Sequence, residues 1–246
     1  DPQNQTYFVR MDWERPSKAI VLKDVRQAFE AEVILSNEIN WNLWLRQKPL
    51  RMAVFVTKEI AHLYELLMHC ITGLWNAEVA LVISNRPDLE SETRRFGVPF
   101  YHTPVDANSK ERCENHQLEL LRDANVDLVV LARYMQIVTA RLIAPYHNRM
   151  INIHHSMLPA FAGARPYQQA YDRGVKLIGA TSHYVTEDLD AGPIIAQDVV
   201  SVTHRKSVPE LIEMGRRLET KVLSQAVGLH INRRVLVEDG RTIIFD

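Results

Sequence analysis

The chain has 246 residues, 46% hydrophobic and 24% charged, with a formal net charge of −1. That size and composition suit one or two globular domains with a real core, and near-neutrality offers no general field for nucleic acid or an anionic membrane. No run approaches the ~20 apolar residues that span a bilayer, no leader pattern is evident, and Cys70 and Cys113 have neither disulfide-framework nor zinc-site spacing, so the expectation is a cytoplasmic protein with buried, reduced thiols.

Taken in order, Tyr7 to Trp13 mixes aromatic and β-branched residues with polar ones in near alternation and reads as a strand. Ser17 to Phe29 carries Ile20, Leu22, Val25 and Phe29 at near-helical spacing. Glu32 to Leu35 and Trp41 to Trp44 alternate again and read as strands. This β-α-β material, 1–47, is too small to close a core alone. It reads as part of a small module whose first portion is missing, followed by a linker around Gln47-Lys48-Pro49.

A different pattern runs over 51–246. Met52 to Val56 is a continuous apolar run, as a strand buried on both faces should be. An amphipathic helix follows at Glu59–Met68, then a strand at Glu78–Ser84, a helix at Asp88–Phe96 and a short strand at Val98–Tyr101. Lys110–Ala124 reads as helix, Val126–Leu131 as strand, Thr139–Ala144 as short helix and Met150–Ile153 as strand. Such alternation predicts an α/β fold, a doubly wound and mostly parallel sheet that binds ligands at the carboxyl ends of its strands. Two longer strands, Ala180–Val185 and Ile194–Val202, precede a long helix from Val208 to about Asn232. A closing hairpin, Val235–Val237 and Thr242–Phe245, turns at Asp239-Gly240.

Absences narrow the chemistry. The first 72 residues contain no glycine, and the turn after the first core strand reads Thr57-Lys58-Glu59-Ile60-Ala61-His62. A phosphate or dinucleotide loop needs glycine there so that backbone N–H groups can approach the phosphate. No Gly-x-Ser-x-Gly elbow exists. His62 and His69 are seven apart, not three or four, and read as helix-surface histidines rather than a ligand pair.

Two runs carry the chemistry. In Asn152-Ile153-His154-His155-Ser156-Met157-Leu158-Pro159, just past an apolar strand, Asn152 and His154 are one residue apart and point the same way on an extended backbone. An amide donor beside a group that titrates near neutrality suits reaction at a carbonyl: one stabilises the oxyanion while the other moves a proton. In His183-Tyr184-Val185-Thr186-Glu187-Asp188-Leu189-Asp190-Ala191-Gly192-Pro193 a strand runs into an acidic loop. Asp190 there could orient His154 or hold a water for attack. Taken alone, it could equally be a plain turn former. A metal held by His155 and His183 with these groups is disfavoured, because adjacent histidines on a strand point apart.

Asn-x-His-x-Ser-x-Leu-Pro followed by His-Tyr-Val-Thr-x-x-Leu-Asp-x-Gly-Pro-Ile-Ile-x-Gln resembles the formyltransferase superfamily that uses 10-formyltetrahydrofolate, from about Arg51 to the C-terminus. The resemblance implies a Rossmann-like fold and a catalytic trio of Asn152, His154 and Asp190. It also implies that the pterin lies against Tyr134, Met135, Gln136, Ile137 and Val138 and the Val185–Asp190 loop, with Gly163, His183, Val185, Thr186 and Leu189 as further substrate contacts. Within the superfamily the chain is similar to the deformylase family. The run Leu158-Pro159-Ala160-Phe161-Ala162-Gly163-Ala164-Arg165-Pro166-Tyr167-Gln168-Gln169-Ala170-Tyr171 is of the deformylase kind, and the phosphate-binding glycine loop of glycinamide ribonucleotide formyltransferase is missing. The N-terminal fragment resembles the later part of an ACT domain, a partial α+β module.

What this implies is hydrolysis of 10-formyltetrahydrofolate to formate, which serves purine synthesis and balances one-carbon folate pools. Neither cofactor nor metal is expected. The resemblance further implies a homo-oligomer, since ACT-like modules pair edge to edge, and an amino-acid effector. The rival expectations are a formyltransferase with an amine acceptor and a folate sensor without turnover. Arg133 could meet a folate glutamate tail but reads more simply as a solvated surface arginine.

Overall fold

A computed structural model describes residues 6–13, 21–34, 39–44, 48–106, 109–159 and 166–245. The chain divides into two units, Asp1–Pro49 and Leu50–Asp246.

In the first unit, helix α1 (Leu22–Phe29) runs into a π-helical turn over Glu30–Ile34. The strand expected at Glu32–Leu35 is therefore corrected: through Ile34 the backbone continues the helix, and Leu35 lies outside the described residues. The start expected for α1 at Ser17 also lies outside them. No strand forms among this unit's described residues, so Tyr7–Trp13 and Trp41–Trp44 are not strands. Aromatic and β-branched content makes a strand only when a neighbouring backbone completes its ladder. Trp41 instead packs against the helix, 4.7 Å from the Phe29 ring with the Arg26 guanidinium 5.0 Å above it.

The second unit holds a seven-stranded sheet. Its strands are β1 (Leu50–Val56), β2 (Ala77–Ser84), β3 (Phe100–His102), β4 (Leu128–Leu131), β5 (Met150–His154), β6 (Leu177–Tyr184) and β7 (Ile194–Ser201). The order is β3-β2-β1-β4-β5-β6-β7. β1 to β5 are parallel, while β6 runs antiparallel to β5 and β7 antiparallel to β6. The order reverses between β1 and β4, the switch point at which such sheets open a crevice.

The continuous apolar runs are explained by cover on both faces. Met52, Val54 and Val56 join Leu63, Leu66 and Leu67 of α2 (Ile60–Ile71) and Val222, Leu223 and Ala226 of α7 (Val208–Ile231). Ala53 and Phe55, pointing the other way, meet Leu118 and Leu121 of α4 (Lys110–Asp123) and Leu142 of α5 (Ala140–Ile143). Each fully buried Leu, Val or Phe contributes about 1.5–3 kcal/mol. α3 (Glu90–Arg95) lies between β2 and β3. Helix α6 (Pro166–Asp172), which the sequence reading did not anticipate, starts on a proline, whose ring presets the first helical turn.

α7 opens with a capping box in which the Ser207 backbone N–H donates to Glu210 Oε2 at 2.8 Å. The hairpin of β8 (Val235–Glu238) and β9 (Arg241–Ile244) turns on Asp239 and Gly240, both at positive φ, as the two-residue turn requires. Both cysteines are free, and burial pushes the Cys70 thiol up to about 11. Among the described residues no helix is long and apolar enough to cross a membrane.

Candidate active site

Asn152 and His154 lie near and at the end of β5, and their alternation puts them on one face. β6 pairs antiparallel alongside, with His183 opposite Asn152 and Thr181 opposite His154. Beyond β6 the chain loops back, and Asp190 in that loop sits at φ 56. The structure brings four side chains together here. Asp190 Oδ2 is 3.1 Å from His154 Nδ1, and Asp190 Oδ1 is 3.5 Å from His183 Nε2. Asn152 Nδ2 lies 3.3 Å from the same His183 nitrogen, whose ring partner Nδ1 is 2.8 Å from the Tyr184 carbonyl oxygen.

The electrostatics follow from these contacts. The hydrogen bond with His154 leads the effects that outweigh burial and hold the Asp190 carboxyl well below the usual range. Asp190 is thus ionised at neutral pH, and a carboxylate facing Nδ1 keeps the His154 proton there. His154 Nε2 is buried without a hydrogen-bond partner among the described residues. It is the nitrogen left to take or give a proton. His155 stacks on His154, centroids 4.9 Å apart and planes at 14°. Burial, then the Arg133 charge, pushes His155 down to about 4, so the neighbouring ring is neutral.

Backbone anchors hold the frame. Ser182 Oγ donates to the Asn152 carbonyl at 3.0 Å. Thr181 Oγ1 donates to the Ser156 carbonyl at 2.8 Å and accepts from Leu158 N and Gln197 Nε2. Gly192 passes so close under β6 that a Cβ there would lie 1.8 Å from the Tyr184 carbonyl oxygen. That approach, and the Tyr184 N–H donating to the Pro193 carbonyl at 2.9 Å, seats the Asp190 loop.

The residues expected to contact substrate are placed variously. Tyr134 is buried, its ring edge-on to Phe55 and its hydroxyl accepting from Gln117 Nε2 at 3.2 Å. Met135 and Ile137 are exposed at 59% and 62%, as apolar side chains free for a ligand would be. Tyr134, Gln136, Ile137 and Val138 line a small pocket against Val105, Lys110, Glu114 and Gln117. Val185 packs in the core, Leu189 is exposed, and the Thr186 hydroxyl donates to the Asp188 carbonyl at 3.0 Å. His183 is buried with both ring nitrogens engaged. Gly163 lies outside the described residues.

Sequence reasoning missed a second polar cluster. Glu219 of α7 is fully buried, and its Oε2 lies 3.4 Å from Arg133 Nη1 and 3.6 Å from His62 Nε2. The Tyr167 hydroxyl of α6 donates to its other oxygen. Two expectations are corrected. His62 is buried rather than on the helix surface, because α7 covers that face of α2, and Arg133 is mostly buried on Glu219 rather than solvated. Burial pushes the Glu219 carboxyl up, but His62, Arg133 and Tyr167 together outweigh it and hold it down, hence charged. A glycine in mid-helix at 215 with a glutamate one turn on was the available signal, since a Cβ at Gly215 would sit 2.0 Å from the Tyr167 hydroxyl.

Known proteins resemble this chain in sequence and in fold. Residues 50–227 match the formyl transferase family. The curated formyltetrahydrofolate deformylase of Bacillus subtilis is 44% identical over 246 residues, covering 100% of this chain and 82% of the relative. The crystal structure of a formyltetrahydrofolate deformylase from Pseudomonas syringae superposes with a TM-score of 0.88 at 42% identity, covering 93% of this chain and 76% of that one. A glycinamide ribonucleotide transformylase from Symbiobacterium toebii follows at TM-score 0.76 and 33% identity, over 84% and 99% of the two chains. Since a transferase shares the sheet while a deformylase aligns along the whole chain, N-terminal unit included, the chain belongs to the formyltetrahydrofolate deformylase family.

Proposed function

We propose that the chain hydrolyses 10-formyltetrahydrofolate to formate and tetrahydrofolate, with Asn152, His154 and Asp190 as its catalytic residues. The observation that carries this is the 3.1 Å contact between Asp190 and His154 Nδ1, which leaves a buried, unpartnered Nε2 on the strand face that also bears the Asn152 amide. Asn152 donates to the formyl oxygen and stabilises the oxyanion as the carbonyl becomes tetrahedral. His154 Nε2 accepts the proton of the attacking water, and Asp190 stabilises the imidazolium that forms. When the C–N bond breaks, the imidazolium returns that proton to the departing folate nitrogen. Folate lies along Tyr134–Val138 and the Val185–Asp190 loop, where Met135, Ile137 and Leu189 offer exposed apolar surface. These steps call on no metal, which the chelator in the test below checks.

The test is formate release from 10-formyltetrahydrofolate without an amine acceptor, with chelator added and Asp190→Asn alongside. Acceptor-independent release, lost in the variant and indifferent to chelator, supports the proposal. Release of the formyl group only to an added amine means a transferase, and binding without turnover means a folate sensor. We also assign residues 1–47 to regulation, as a partial ACT-like module that takes an amino-acid effector and pairs with a second copy in a cytoplasmic homo-oligomer. The alignment with a deformylase covers these residues, whereas the formyl transferase match starts at residue 50. Native mass spectrometry and amino-acid titration of formate release check this.

A further inference from the structure

Asn152 can serve as an oxyanion donor only if its amide presents N–H, not oxygen, to the substrate. A carboxamide turned over about its terminal bond has the same shape and the opposite polarity. The backbone does not settle which way it faces, so something must read the difference between N and O.

His183 does so. Its Nδ1 lies 2.8 Å from the Tyr184 carbonyl oxygen, which can only accept, so Nδ1 carries a proton whatever the ring's charge. In the neutral ring Nε2 is then a bare lone pair, and the Asn152 group 3.3 Å from it must be the amino end. Turned over, the amide would set its oxygen against that lone pair, at 2% exposure and with little solvent to relieve the clash. One Asn152 N–H is thus committed to His183, and the second is free to address the formyl oxygen. The titratable groups beside this nitrogen are Asp190, with Oδ1 at 3.5 Å, and His154, which holds the other Asp190 oxygen. Asp190 would win the His183 nitrogen only from a doubly protonated ring.

The fold builds this contact deliberately. His183 stands directly opposite Asn152 across the β5–β6 ladder. The register of β6 on β7 shifts between Ser182 and His183, the kind of irregularity that re-aims a side chain.

We propose that His183 is a positioning residue whose Nδ1-protonated ring sets the polarity of the Asn152 carboxamide for catalysis. The inference rests on the role proposed above for Asn152. It differs from the substrate contact that the sequence implied for His183.

The two ring nitrogens can be tested separately. Asn in place of His183 puts an N–H near the Nδ1 position but no acceptor at Nε2. Gln reaches the Nε2 position and can turn its oxygen to Asn152. His183→Asn should lower kcat about 10- to 100-fold, part of the loss expected for a whole oxyanion donor, with KM little changed. His183→Gln should recover most of that loss. In an Asn152→Ala background, His183→Asn should cost nothing further. Rescue by Asn but not Gln, or a full additive loss in that background, would overturn the proposal and leave His183 a strand anchor. Wild-type kcat in Asn152→Ala alone would instead remove the reading of Asn152 itself. Nitrogen NMR of the wild-type ring needs no variant to fold: a neutral ring protonated on Nε2 overturns the proposal, and one protonated on Nδ1 supports it.

Discussion

At the scale of single residues, the site depends on backbone placement as much as on side-chain identity. Asp190 sits at φ 56, where few side chains rest comfortably and Asp and Asn are among them. Asp190→Asn therefore keeps the loop and removes only the charge. Measured as kcat for formate release, it should lose roughly 10³- to 10⁴-fold, the scale seen when a carboxylate orienting a histidine is neutralised. Asn152→Ala, the loss of a single oxyanion donor, should cost about 100- to 1000-fold in the same assay. Gly192→Ala touches none of the reacting groups, yet its Cβ would collide with the Tyr184 carbonyl at 1.8 Å. The loop must move and take Asp190 with it, so kcat should fall with the lowered melting temperature. A fully active Gly192→Ala would contradict the seating of that loop.

At the scale of elements, Glu219 joins four parts of the second unit: α2 through His62, the turn after β4 through Arg133, α6 through Tyr167, and α7, which bears it. Arg133 itself stands at φ 60 and directly precedes Tyr134–Val138. A buried ion pair is weak evidence for stability, but removing one partner strands the other charge. Glu219→Ala should destabilise by roughly 3–5 kcal/mol in denaturant unfolding. It should also raise KM for the folate, because the Tyr134–Val138 segment loses its anchor on α7. Replacing Arg133 and Glu219 together with apolar residues of similar volume should cost much less, and an equal cost would show that charge is not the issue.

At the scale of the whole molecule, buried histidines set the response to acid. His230, on α7, takes a hydrogen-bonding contact of 2.7 Å with the Tyr184 hydroxyl, and burial, then Arg233 and Arg149, pushes its ring down to about 3. His155 lies at about 4. Unfolded, each would titrate near 6.5. Between those values the unfolded chain binds more protons than the folded one, so stability is full above about pH 6.5 and falls as pH drops toward 3–4. His230 alone should contribute a loss of about 2 kcal/mol between pH 7.5 and 5. Denaturant midpoints at the two values measure this, and His230→Gln should flatten the slope. A slope unchanged in that variant would place the acid response elsewhere.

What the sequence determined by itself is the part governed by local pattern. Continuous apolar runs such as Met52–Val56 and the 3.6-residue spacing in α2, α4 and α7 are consequences of burial, and burial is written into residue type. The placement of Asn152 and His154 on one strand face was legible for the same reason, since alternation is a property of the extended chain. Asp190 was different. Its motif marked it, but its meeting with His154 depends on a loop closing over Gly192. The strands expected at Glu32–Leu35 and Trp41–Trp44 failed because a strand depends on its neighbour, which no single segment encodes. The burial of His62 under α7, the Glu219 cluster and the contact between His183 and Asn152 were decided only by tertiary structure. Each joins residues tens to more than a hundred positions apart, and hydrogen-bond partners at that range are chosen by the fold, not by local spacing.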